Sequence, residues 1–68
     1  MDENDRSRYI GIAEEALDRK HYHSATEYFS KAESVVGLMK VIELSHNSKT
    51  ANNEAIQAYT KLTGESWQ

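Results

Sequence analysis

The sequence predicts an all-α protein: an antiparallel helical hairpin plus a third helix, packed as a three-helix bundle with a long second helix. Apolar residues recur at intervals of three and four along most of the chain, which is the spacing of one helix face. The 68 residues include no proline and only three glycines, so few positions would stop a helix. A chain of this length has room for one domain, and we expect residues 1–68 to form it.

The first predicted helix covers about residues 5–20. Asp2 or Asn4 can cap its start, and acidic residues crowd the first turn, where they favour the helix dipole. Gly11 lies inside this helix at a cost of about 1 kcal/mol relative to alanine, and close approach of a neighbouring helix would explain it. The apolar stripe consists of Tyr9, Ile10, Ile12, Ala13, Ala16 and Leu17.

The second predicted helix is long, from about residue 24 to residue 45. The residues just before Ser24 form the turn, and Ser24 with Glu27 fits a Ser-x-x-Glu capping box. A break at Gly37 is the alternative, but the stripe keeps its phase through that position. The stripe consists of Ala25, Tyr28, Phe29, Ala32, Val35, Val36, Met39 and Ile42.

The third predicted helix covers about residues 50–63. Ser48 or Thr50 can cap its start, and Gly64 stands where a left-handed C-cap is expected. The tail, residues 64–68, is predicted to be irregular. The stripe of this helix is mostly small: Ala51, Ala55, Ala58, Tyr59 and Leu62.

The second helix carries a second apolar face. Leu38, Val41 and Leu44 repeat at three-residue steps on a side that the main stripe does not use, so this half of the helix is apolar almost all round. Such a helix needs burial on every side. We therefore predict a self-association face made of Leu38, Val41, Leu44 and Val36, and a homodimer. In the alternative, the third helix covers this face.

The composition excludes several classes of function. Without any cysteine the chain cannot build a disulfide framework, a Cys-ligated zinc site or a thiol nucleophile. No apolar run exceeds two residues, so we expect neither a membrane span nor a signal peptide, and a cytoplasmic location. Glu14 and Glu15 are adjacent and would point about 100° apart on a helix, which rules out a carboxylate dyad. We expect no enzyme, no catalytic residues and no cofactor.

The histidines are the only candidate metal ligands of note. His21 and His23 flank Tyr22, and such a pair needs a third ligand. If the second helix is continuous, His46 lies roughly 34 Å from His23 along its axis. The two could meet only across an antiparallel dimer, so we predict no metal site.

Nucleic-acid binding is the alternative function. The chain is acidic, with a formal net charge of −3, and its basic residues are scattered, whereas a DNA-binding domain usually shows a basic face. The third helix could still act as a weak recognition helix, because Asn and Gln can read adenine edges. The polar residues concerned are Lys49, Asn52, Asn53, Gln57 and Lys61.

Residues 9–32 resemble a single tetratricopeptide repeat. The matching positions are Tyr9, Ile12, Ala13, Ala16, Tyr22, Ala25, Phe29 and Ala32, with Lys20 where a glycine usually turns the chain. The closing proline of the repeat is missing, Gly37 standing there, and the chain has one repeat only. To a lesser degree, the chain length and the Tyr-x-x-Ala of the second helix are similar to microtubule-interacting-and-transport three-helix domains. Small AraC-negative-regulator-type bacterial proteins share a pattern met here by Tyr22, Ala25, Phe29 and Ala32. All three resemblances imply a helical hairpin that binds protein and performs no chemistry.

The sequence therefore predicts a non-catalytic protein-interaction or regulatory module. We expect a small homodimeric accessory protein of bacterial or phage type, with a protein partner that the sequence does not identify.

Overall fold

The computed structural model describes residues 2–67, and their regular secondary structure is all α-helical. Four helices follow one another: α1 (Glu3–Asp18), α2 (Tyr22–Lys31), α3 (Val35–Leu44) and α4 (Lys49–Thr63). The all-α class is thus confirmed. The three-helix bundle and the long second helix are wrong, because the segment predicted as one helix forms α2 and α3. In the described part of the chain, no helix is both long enough and apolar enough to cross a membrane.

The first helix begins and ends close to its predicted bounds. The Asp2 side chain caps it by accepting from the Asn4 amide at 3.2 Å, and Glu3 and Asp5 lie in its first turn. At the other end the chain turns through Lys20, whose φ of 63° is in the left-handed region. Glycine adopts this left-handed conformation most easily, so the turn at Lys20 is one that usually favours glycine.

The predicted capping box at Ser24 is wrong. Helix α2 begins at Tyr22 with His21 as its N-cap, so Ser24 lies inside the first turn rather than before it. The earlier start follows from how α1 ends. The His21 amide donates to the carbonyl of Ala16 at 2.8 Å, so the turn is complete at His21 and α2 can begin at the next residue.

The break in the predicted long helix falls at residues 32–34, before Gly37. Glu33 has a φ of 55°, and the Ser34 amide donates back to the Phe29 carbonyl at 2.9 Å, so α2 ends in the same left-handed way as α1. Ser34 then caps α3, because its Oγ accepts from the Gly37 amide at 3.1 Å. The Arg6 side chain, reaching over from α1, donates from Nε to the Ala32 carbonyl at 2.9 Å and places a cation at the end of α2.

Gly37 lies inside α3, directly against an aromatic ring. A Cβ at this position would stand closer than 3.0 Å to three atoms of the Phe29 ring, which is itself fully buried. The absent side chain therefore lets the ring pack on the α3 backbone. Gly11 differs, because a Cβ there would meet nothing within 4 Å. The predicted close approach of a helix at Gly11 is wrong.

The third predicted helix corresponds to α4 within a residue at each end. Gly64 ends it in the left-handed region with a φ of 76°, as predicted. A contact that the sequence did not suggest holds its start: Asn52 Nδ2 donates to the Ile42 carbonyl at 2.8 Å and lies 3.4 Å from the buried Oγ of Ser45. This amide satisfies a carbonyl of the last turn of α3, where no helical partner is available.

The four helices form two hairpins, α1 with α2 and α3 with α4, and α2 lies against both later helices. One core runs through them, comprising Ala13, Leu17, Ala25, Phe29, Leu38, Val41, Ile42 and Ala55. The Cα atoms span 32 × 28 × 13 Å. Helices pack about 8–10 Å apart, so 13 Å allows two layers at most and every helix keeps a face toward solvent.

Candidate interaction surface

The four residues of the predicted self-association face do not form one exposed surface in the structure. Leu38 and Val41 are fully buried, while Val36 and Leu44 are exposed. Including Leu38 and Val41 in an exposed face was wrong, because both belong to the core cluster that contains Ala55 of α4. The break at residues 32–34 lets α3 fold back along α4, so the last helix covers this side after all.

A different side of α3 faces solvent, and we call it the outer face. It consists of Val36, Met39, Lys40, Glu43 and Leu44, all of which are exposed and lie within about 140° of one another around the helix. Val36 is 64% exposed, Leu44 56% and Met39 37%. These are three of the four large apolar side chains left exposed within residues 2–67, the fourth being Ile12 at 41% on α1. Exposed apolar groups are therefore concentrated on α3.

The outer face also carries one cation and one anion. Lys40 and Glu43 are one turn apart, and neither takes part in an ion pair within residues 2–67. Some charged side chains of α1 and α2 are paired instead. On α1 Glu15 lies 3.1 Å from Arg19, and on α2 Glu27 lies 3.9 Å from Lys31. The charges of the outer face are thus available to a group outside the chain.

Separately from the outer face, a concave surface lies between α2 and α4, with a volume of about 650 Å³. Ala58 and Leu62 provide its apolar part. Its remaining lining mixes cations and anions with neutral polar groups: Ser30, Lys31, Glu33, Glu54, Gln57 and Lys61. At the N-terminal end of α2, His23 Nδ1 lies 3.2 Å from Glu54 Oε1 and joins the two hairpins. Because both signs of charge are represented equally, the groove selects no particular class of ligand.

The histidines do not come together. His23 lies against Glu54, whereas His46 Nδ1 donates to the Glu43 carbonyl at 3.0 Å in the turn after α3. Within residues 2–67 no group of three or more His, Asp or Glu residues could hold a metal ion.

The polar residues proposed for nucleic-acid recognition divide between two roles. Asn52 uses its amide within the chain, on the Ile42 carbonyl. The other four, Lys49, Asn53, Gln57 and Lys61, are exposed on α4. An amide that is already bonded inside the protein is not free to read a base edge, so Asn52 drops out of the predicted recognition set.

Sequence reasoning included Val36 and Leu44 but missed Met39, Lys40 and Glu43. Met39 was assigned to the core stripe, because a continuous helix would turn it inward. Lys40 and Glu43 carried no signal of their own, since isolated charges on a helix are usually solvated. Their spacing puts these residues on one face of any helix through this segment, but only the structure shows that this face is exposed.

No protein-family model, curated protein or solved structure matches the chain.

Proposed function

We propose that this protein is a non-catalytic interaction module that self-associates through the outer face of α3. The observation that carries the proposal is the concentration of exposed apolar side chains on this one short helix. Large apolar groups in contact with water are favoured to pair with another apolar surface, at about 25 cal/mol per Å² removed from water. A second copy of the chain carries the same apolar surface, and in a two-fold symmetric contact each copy contributes the same residues.

The size of the outer face sets the expected strength. Helix α3 has ten residues, so it is about 15 Å long. The contact of one such helix is well below the roughly 800 Å² per partner of a standard stable interface. We therefore expect a reversible dimer with a dissociation constant in the range of about 10 µM to 1 mM, rather than an obligate one. The folded chain does not depend on the contact, because its core closes without it.

Sedimentation equilibrium across this concentration range tests the proposal. Val36→Glu and Leu44→Glu each place a charge in the apolar part of the contact and should weaken the dimer at least tenfold. Both side chains are exposed, so the variants should keep their helical circular dichroism. Ile12→Glu is the matched control, because it makes the same change at the exposed apolar residue of α1 and should leave the dimer intact.

Two results would contradict the proposal. One is a wild-type chain that stays monomeric at about 1 mM, the upper end of the expected range. The other is a dimer that responds to Ile12→Glu as strongly as to Val36→Glu. Retention on duplex DNA that falls steeply with salt would instead favour the nucleic-acid alternative, with the exposed residues of α4 as its contacts.

A further inference from the structure

We propose that the two copies pair with their α3 helices antiparallel, so that Lys40 of each copy lies at the level of Glu43 of the other. This inference rests on the proposed self-association and specifies its geometry and the source of its specificity. It depends on the charges of the outer face, whereas the self-association itself depends on the apolar residues.

The order of the residues along α3 distinguishes the two possible directions. Lys40 and Glu43 are three residues apart, about 4.5 Å along the axis. In an antiparallel pair centred between them, each lysine is level with a glutamate of the other copy, and Met39 is level with Leu44. A parallel pair would bring lysine level with lysine and glutamate with glutamate, and like charges placed opposite one another are destabilising.

The two charges are also poorly arranged to satisfy each other within one chain. Glutamate preceding lysine by four residues is the favourable orientation on a helix, and Glu27 and Lys31 of α2 are paired in this way. On α3 the lysine comes first, with a spacing of three, and the two form no ion pair. Their charges cancel over the face as a whole. The outer face itself therefore adds no net repulsion, and a second copy paired in this way finds an opposite charge at each position.

Charge-reversal variants of the full chain provide the test. Lys40→Glu leaves two anions on the face and Glu43→Lys leaves two cations, so each variant alone should dimerise about tenfold more weakly than wild type at low salt. An equimolar mixture of the two should form a heterodimer at least as tight as the wild-type dimer. The double variant, Lys40→Glu with Glu43→Lys, should dimerise like wild type. These differences should shrink at about 1 M salt, where the Debye length is about 3 Å.

A matched pair on α1 controls for nonspecific attraction between patches of opposite charge. Asp5 and Arg8 are also an exposed acid and base three residues apart, with 4.0 Å between their charged atoms. Mixing Asp5→Lys with Arg8→Glu should bring no gain in association over either variant alone.

The outcomes separate this inference from the proposed function. Suppose that Val36→Glu weakens the dimer but the mixture of the two α3 charge variants does not regain the wild-type affinity. The antiparallel pairing is then wrong and the self-association stands. Recovery that is equally strong in the α1 mixture also overturns the pairing. If wild type, variants and mixtures are all monomeric at about 1 mM, both proposals fail together.

Discussion

The two hairpins use a mid-helix glycine in opposite ways. In the N-terminal hairpin, Gly11 of α1 faces open space, and nothing in the fold requires it. In the C-terminal hairpin, Gly37 of α3 lies under the Phe29 ring, where no side chain fits. The same residue type is thus dispensable in one hairpin and indispensable in the other, and its neighbours in space decide which. The following substitutions measure this difference.

The largest expected effect is at Phe29, which joins the two hairpins from α2. It is the largest fully buried side chain within residues 2–67 and the one that packs on Gly37. Phe29→Ala should cost about 3–5 kcal/mol, close to the whole stability expected of a domain this small. Urea or thermal unfolding followed by circular dichroism measures the loss. Tyr28→Ala is the control: this neighbouring aromatic residue is only half-buried, so its removal should cost clearly less. Equal losses would show that the core is not centred on Phe29.

The next effect is at Gly37 itself. Gly37→Ala adds a methyl group against a ring that is packed on all sides, and overpacking of this kind costs about 1–3 kcal/mol in spite of the better helix propensity of alanine. In a Phe29→Leu background the same substitution should cost less, because the smaller side chain leaves room for the methyl group. A double-mutant cycle gives the coupling between the two positions. Strictly additive losses would contradict the contact.

Much of the N-terminal hairpin could be predicted from the sequence because its signals are local. Asp2 and the acidic first turn mark the start of α1, and the stripe of α1 correctly places Ala13 and Leu17 in the core. Ile12 of the same stripe was wrong, because it is 41% exposed. Ala25 and Phe29 were likewise predicted to be buried, and they are. Each of these inferences depends only on residues within a few positions of one another.

The C-terminal hairpin was harder because its decisive contacts are distant or carry no sequence signal. The left-handed residue that ends α2 is Glu33, where neither glycine nor proline marks the turn. Once that break was missed, Leu38 and Val41 were left on the outside of a long helix and assigned to a dimer contact. The Asn52 bond to the Ile42 carbonyl joins two helices and could not be inferred from either one. The exposed outer face followed from the position of the break, so it too could be identified only in the structure.

The smallest expected effect, and the only gain, is at Gly11. Gly11→Ala should stabilise the protein by about 1 kcal/mol, because alanine is the better helix former and the space beside Gly11 is open. For a domain of this size that corresponds to a rise in melting temperature of about 4–8 °C. Gly64→Ala is the matched control, since a Cβ there also meets nothing within 4 Å, but its φ of 76° is strained for alanine. We expect Gly64→Ala to lower the free energy of unfolding by about 1–2 kcal/mol. Comparing the two variants therefore shows the effect of the backbone conformation, because both sites have room for a Cβ. A Gly11→Ala variant that melts below wild type would mean that α1 meets a neighbour there after all, as the sequence first suggested.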